Sequence, residues 1–191
     1  MGVKVVVNPL LEPVSVTEIK EHLNISTNLD DSLLSAYITV AREYCENYQN
    51  RALITQTIEY TLDRYPKSVE DIPRPPLQSV SSIKYYDENQ TENTFASEKY
   101  MVDNSSFVGR IALLKNFTYP TTTLRTVNGV VIRYVAGYGN NASDVPATVK
   151  QAIKLIVGHL YEHRENTVER ALEEIPMGVK SLLDLNRLWV I

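Results

Sequence analysis

Hydrophobic positions change period once along this chain, in the stretch DDSLLSAYITVAREYCENYQNRALITQTIEYTLDRYP at residues 30–66. In its first half Leu34, Tyr37, Ile38, Ala41, Cys45 and Tyr48 fall at i, i+3, i+4, i+7, i+11 and i+14. That spacing is one side of a 3.6-residue helix, with Asp31, Ser35, Arg42, Glu46 and Gln49 expected to face elsewhere. From Thr55 the order alternates strictly, Ile58, Tyr60 and Leu62 against Thr57, Glu59, Thr61 and Asp63, until Pro66 removes a backbone donor. A helix over residues 31–49 thus hands over directly to a half-buried strand.

Elsewhere the pattern predicts further elements. Val3 to Val7 could be a short strand or an arm. Ser15 and Glu18 form an S-x-x-E capping box, so a short helix over residues 16–23 follows, with Ile19 and Leu23 packed against Leu34, Ile38 and Ala41. KSVEDIPRPPL, residues 67–77, reads as a rigid extended crossing, or else a ligand for an SH3-type groove. Strands are expected at residues 82–86 and 91–95 across a DENQ turn, at 100–102, at 110–114 and at 130–136. The last reads VVIRYVA, apolar on both faces except for Arg133, and so belongs in the middle of a sheet. From Pro146 a second long helix shows a wide apolar face through Val149, Ala152, Ile153, Ile156, Val157, Leu160 and Tyr161, which should pack on the first. ENTVERALEE after Arg164 is a helix extension or a loop, and a final short helix is expected at residues 179–185. The fold class is therefore α+β: a small helical core of two long helices plus short N- and C-terminal helices, with an antiparallel β-rich region inserted at residues 53–138 of a single domain spanning 1–191.

Composition narrows function more than fold. The 43% hydrophobic and 22% charged shares of these 191 residues are ordinary for a globular chain. A net charge of −4 without a Lys or Arg run argues against tight groove binding of nucleic acid. Tyrosine occurs 12 times against 3 phenylalanines, which suits either surfaces buried against polar partners or half-exposed sheet and helix positions. The single cysteine, Cys45, lies on the apolar stripe and reads as a buried structural thiol. MGVKVVVNPLLEP lacks the core and cleavage site of a signal peptide, and no run approaches membrane-spanning length, so folding in a reducing cytoplasm is expected. The N-x-S/T matches at Asn24, Asn89, Asn104, Asn116 and Asn141 would accept glycans only on a secretory route.

Candidate chemistry is sparse. His159, Glu162 and His163 fit H-x-x-E-H, two imidazoles one helical turn apart beside a general-base carboxylate, as in a zinc hydrolase. A third ligand is missing, since the remaining histidine is His22, and a helix edge without metal is the better reading. Gly137-x-Gly139 follows a strand, but the third glycine and the βαβ setting of a nucleotide loop are absent. Asp30 and Asp31 precede a helix, where negative charge is favourable, and Glu173-Glu174 lies in a solvated stretch. No catalytic residue, cofactor or metal is expected. A metal-dependent hydrolase and a generic β-rich binding module stand as alternatives.

The ordered set VSVTEIKEHLNI, DDSLLSAYITVAREYCENYQNRALITQTIEYTLDRYP, RPPLQSVSSIKYYD, VVIRYVAGYG, VPATVKQAIKLIVGHLYEHRE and IPMGVKSLL resembles the head-tail connector, or head-completion adaptor, proteins of tailed bacteriophages and prophages. The resemblance implies a structural virion protein made in the bacterial cytoplasm, without catalytic residues. Such proteins form a ring, usually dodecameric, beneath the portal, prolong the DNA channel without binding DNA tightly, and dock the next connector or tail protein. The apolar end at Leu185, Leu188, Trp189, Val190 and Ile191 needs somewhere to dock. A neighbouring subunit or the portal is the expected place.

Overall fold

The computed structural model describes residues 2–163 and 177–188. The stretch after Arg164, Glu173-Glu174 and the terminal Trp189, Val190 and Ile191 lie outside them. The chain divides into two compact units, Met1–Leu10 with Thr55–Tyr138, and Leu11–Ile54 with Gly139–Ile191.

The first unit is all β. Its strands are β1 (Gly2–Val7), β2 (Gln56–Leu62), β3 (Val69–Asp71), β4 (Leu77–Tyr86), β5 (Glu92–Phe95), β6 (Tyr100–Asp103), β7 (Arg110–Leu113) and β8 (Val130–Ala136). A five-stranded antiparallel sheet runs β1-β2-β8-β4-β5, and a three-stranded one runs β3-β7-β6. The expected alternation holds along β2, where Ile58, Tyr60 and Leu62 are buried and Thr57, Glu59 and Thr61 half-buried. The strand ends at Leu62 and not at Pro66, because the next side chains leave the ladder. Asp63 accepts the Asn128 N–H at 2.7 Å, and Arg64 turns to the Glu70 carboxylate at 3.2 Å. Strand β8 is the middle strand, as its apolar run requires, with Arg133 opposite Glu59 and bonded to it at 3.0 Å.

The Pro-rich crossing contains β3, an element that its prolines hide from a pattern reading. The small sheet is tied to the large one at both edges: Tyr60 donates to Glu70 at 3.3 Å, Tyr134 donates to the Pro73 carbonyl at 2.7 Å, and Asn104, after β6, donates to the Gln78 carbonyl at 3.1 Å. Burial and these bonds bring the prolines into the fold, which leaves no extended ligand for an SH3-type groove. Tyr65 and Tyr119 stack at 5.0 Å, and Tyr119 meets Phe95 at 5.2 Å, so an aromatic cluster anchors the long connection before β8. Burial, helped by the nearby Glu70, pushes the Tyr119 hydroxyl up to about 12. In this unit Tyr60 and Tyr134 are buried, while the other tyrosines are half-buried.

The second unit holds α1 (Val16–Leu23), α2 (Asp31–Gln49), α3 (Ala147–Glu162) and α4 (Met177–Asp184). Both halves of the Ser15/Glu18 capping box form, with Glu18 N–H donating to Ser15 at 3.2 Å and Ser15 N–H to Glu18 at 2.9 Å. Helix α3 packs on α2, and Pro146 sits one residue before the first helical position, at the cap. Leu23 reaches α3 at Gly158, where an added Cβ would lie 3.3 Å from it.

The core stripe of α2 is rotated from the expected one. Arg42, Glu46 and Gln49, assigned to solvent by pattern, are buried, while Tyr37 and Tyr48, assigned to the core, are only half-buried. The polar side chains are buried because each finds a partner. Arg42 bonds Glu12 and Glu46 at 2.8 Å each, and Glu46 also accepts the Leu53 N–H at 2.9 Å. Asn50 ends the helix in the left-handed region at φ 54°, and Arg51, Ala52, Leu53 and Ile54 then run buried to the unit's edge. Ile54 forms a parallel bridge with Gly139. Buried backbone needs such partners.

Candidate interaction surface

Residues 177–188 fold back on α2. Val179 and Leu183 of α4 are buried, and Gln49 donates to the Leu183 carbonyl at 2.7 Å. Tyr48 donates to Asp184 at 2.9 Å, and the Arg187 guanidinium lies 4.4 Å from the Tyr48 ring centre. The bond to Asp184 is the main reason that the Tyr48 hydroxyl is held above its ordinary value. Leu188 donates its N–H to the Gln49 carbonyl and accepts from the Asn50 side chain, both at 3.1 Å.

These bonds divide the expected docking residues. Leu188 is half-buried with its backbone engaged by α2, whereas Leu185 is 69% exposed in the turn after α4. Trp189, Val190 and Ile191 lie outside the described residues. Tyr44 and Tyr48 stack at 6.0 Å along α2. Pattern reading missed Tyr44 because it counts one stripe per helix; the signal was its place one turn before Tyr48.

A second polar surface covers the outer face of the five-stranded sheet, a concavity lined by Glu59, Lys84, Tyr86, Glu92, Arg125 and Arg133 among others. Its charges are matched pairwise. Arg133 meets Glu59, Lys84 meets Glu92, and Arg125 lies 4.0 Å from the Tyr86 ring centre while donating to the Asn128 carbonyl.

His159 and His163 stand one turn apart, ring centres 4.5 Å from each other, and His163 Nδ1 is 3.0 Å from the His159 carbonyl. Among the described residues no group of three His, Cys, Asp or Glu side chains could hold a metal. Glu162 and His163 are exposed, and His159 is half-buried. Cys45 is fully buried, and burial, with Glu46 adding to it, pushes its thiol up to about 12. Asp30 does not cap α2 with its side chain; it accepts the Tyr161 hydroxyl at 2.7 Å instead, and Asp31 pairs with Lys20 at 2.9 Å. Gly139 lies so close to Asp144 that a Cβ there would clash, and Asp144 closes a capping box with Asn141. The G-x-G thus makes a tight turn.

A family model described as "Phage gp6-like head-tail connector protein" matches residues 13–108 and 118–187. No curated protein sequence matches the chain. Among solved structures, a chain of the "Neck of empty GTA particle computed with C6 symmetry" is 23% identical with a TM-score of 0.81. A chain of the "Virion of native gene transfer agent (GTA) particle" is 22% identical at 0.80, and one of the "Neck of native GTA particle computed with C12 symmetry" is 22% identical at 0.77. Each match covers 100% of this chain and 97% of the other, so the whole fold is shared.

Proposed function

Because the chain belongs to the phage gp6-like head-tail connector family, we propose that it is a ring subunit of a virion neck, seated under the portal at the head-tail interface. There it lengthens the DNA channel and offers a docking surface to the next connector or tail protein. The family match over residues 13–108 and 118–187 carries this reading. Necks with C6 and C12 symmetry among the proteins of like fold support a ring of twelve.

The role is structural and needs neither cofactor nor catalytic residue. On the β unit Arg133 pairs with Glu59 and Arg110 with Asp103, which suits a wall that passes DNA without gripping it. The chain is made in the host cytoplasm and joins the virion there. Leu185 and the terminal Trp189, Val190 and Ile191 dock on a neighbouring subunit or the portal, and Leu188 links that end to α2. Electron microscopy of the protein alone and with its cognate portal tests the reading, with rings of twelve expected on the portal. Particles of neither kind would overturn it.

A further inference from the structure

Strands β1 and β5 are the two edges of the five-stranded sheet, each paired on one side among the described residues. The ladder shows which residues turn their backbone outward. Asp87 N–H donates to the Thr91 carbonyl, so by alternation Tyr85 bonds Asn93, and the backbones of Glu92 and Thr94 point away from β4. Tyr86 N–H donates to the Gly129 carbonyl on the other side. Carried through β8 and β2, the same alternation bonds Lys4 to Glu59 and turns the backbones of Val3 and Val5 outward. β1 reads GVKVVV, branched and without proline, and an edge of that kind is a template for another strand.

Val3, Tyr60, Ile132, Ile83 and Phe95 are successive register partners and form one apolar row across the sheet. The last four are at most 5% exposed, whereas Val3 is 42% exposed. A further strand beyond β1 would cover it.

We propose that β1 of one copy pairs with β5 of the next, an inference that rests on the ring reading above. Five strands of alternating direction leave both edges running the same way, so a neighbour related by the small turn of a ring offers β5 parallel to β1. In a parallel pair an outward residue of one strand fits between two outward residues of the other. Val3 fits between Glu92 and Thr94, opposite Asn93, and both side chains lie on the side of the apolar row. Antiparallel pairing would set Val3 against Glu92 or Thr94, whose side chains lie on the other side. In the parallel register Val5 comes beside Phe95. Lys4 comes beside Thr94 and within reach of Glu92, which already takes Lys84 and Tyr86, and this charge match fixes the register. The contact joins unlike edges and so repeats around a ring, where β1 on β1 would stop at a dimer.

Lys4→Cys combined with Thr94→Cys, both at exposed positions, tests the pairing in the full-length protein. Within one chain the two stand about 19 Å apart across four strand spacings, too far for a short bismaleimide. In portal-bound rings the double variant should give a ladder of cross-linked chains beyond the dimer, and each single variant should stay monomeric. Rings without the ladder would overturn the edge pairing and leave the ring reading intact. Dimers from a single variant, or adducts confined to one chain or made to portal, would overturn the pairing too. Val3→Pro removes an outward N–H and no bond to β2, so it should melt within a few degrees of wild type and enter portal-bound rings about tenfold less well. Entry at the wild-type level would overturn the proposal, and if this variant does not fold the ladder decides. If wild type forms no ring alone or on portal, the ring reading itself falls, and this inference with it.

Discussion

Arg42 lies 2.8 Å from Glu46, one turn further along α2, with side chains only 6% and 4% exposed. Glu12 takes the other edge of the guanidinium, and Glu46 holds the Leu53 N–H just after the helix ends. One buried network therefore fixes both the segment before α1 and the exit from α2. Arg42→Met should cost roughly 3–5 kcal/mol, because it removes the buried charge that Glu12 and Glu46 both pair with. Arg42→Met combined with Glu46→Leu should recover part of that loss, but not the Leu53 contact. Urea unfolding of the single and double variants measures both.

Glu18 adds a dependence on acid. Ser15, chiefly through its backbone N–H, and then Lys150 hold the Glu18 carboxyl below its ordinary value of 4.5, against a smaller opposing effect of burial. A depressed folded value means that the stabilisation is complete above about 4.5 and fades as pH falls through the folded value. Melting temperatures of wild type and Glu18→Gln should differ at pH 7 and converge toward pH 3.

Cys45 should be inert in the folded protein. With its thiol pushed up to about 12 by burial and no exposed surface, almost none is thiolate at pH 8. A colorimetric thiol reagent at that pH should label one equivalent in denaturant and under a tenth of that in native buffer over the same minutes.

Gly109 is a close-approach position. A Cβ there would lie 2.2 Å from the Leu77 Cβ, which cannot swing aside, and the Gly109 carbonyl accepts the Ile72 N–H at 2.8 Å. Gly109→Ala should therefore cost about 1–3 kcal/mol through displaced backbone. A substitution of the exposed Ser105 in the same hairpin should cost little. Thermal melts of the two separate a local clash from general loop sensitivity.

His159 and His163 predict indifference to metal. Zinc added at equimolar concentration, or removed with a chelator, should shift the melting temperature by less than about 1 °C. Binding to a well-formed site would stabilise the fold by mass action and raise it.

How far each element was legible depended on whether its signal was local. The capping box marked α1 because two side chains three residues apart satisfy two orphan donors by themselves. β8 announced its central place through an apolar run that only a strand with neighbours on both sides can bury. β3 stayed hidden, since its pairing with β7 is made across the intervening forty or so residues and its own composition reads as a crossing. On the candidate surface, the apolar chain end was visible in the sequence. That Leu188 is tied to Gln49 while Leu185 stands exposed was not, because it depends on how α4 meets α2.

The sequence alone determined the order of helix, strands and helix, the capping of α1 and the alternation of β2, and with its family resemblance it pointed to a connector. Those features rest on periods of two and 3.6 residues and on contacts a few positions apart. Only the tertiary structure decided which side of α2 is interior. Arg42, Glu46 and Gln49 could go inward because Glu12 and Leu183, distant in sequence, and Leu53, seven residues past Glu46, arrive to bond them. A buried polar group is tolerable only when its partners come with it, and with that face turned inward Tyr37 and Tyr48 are only half-buried.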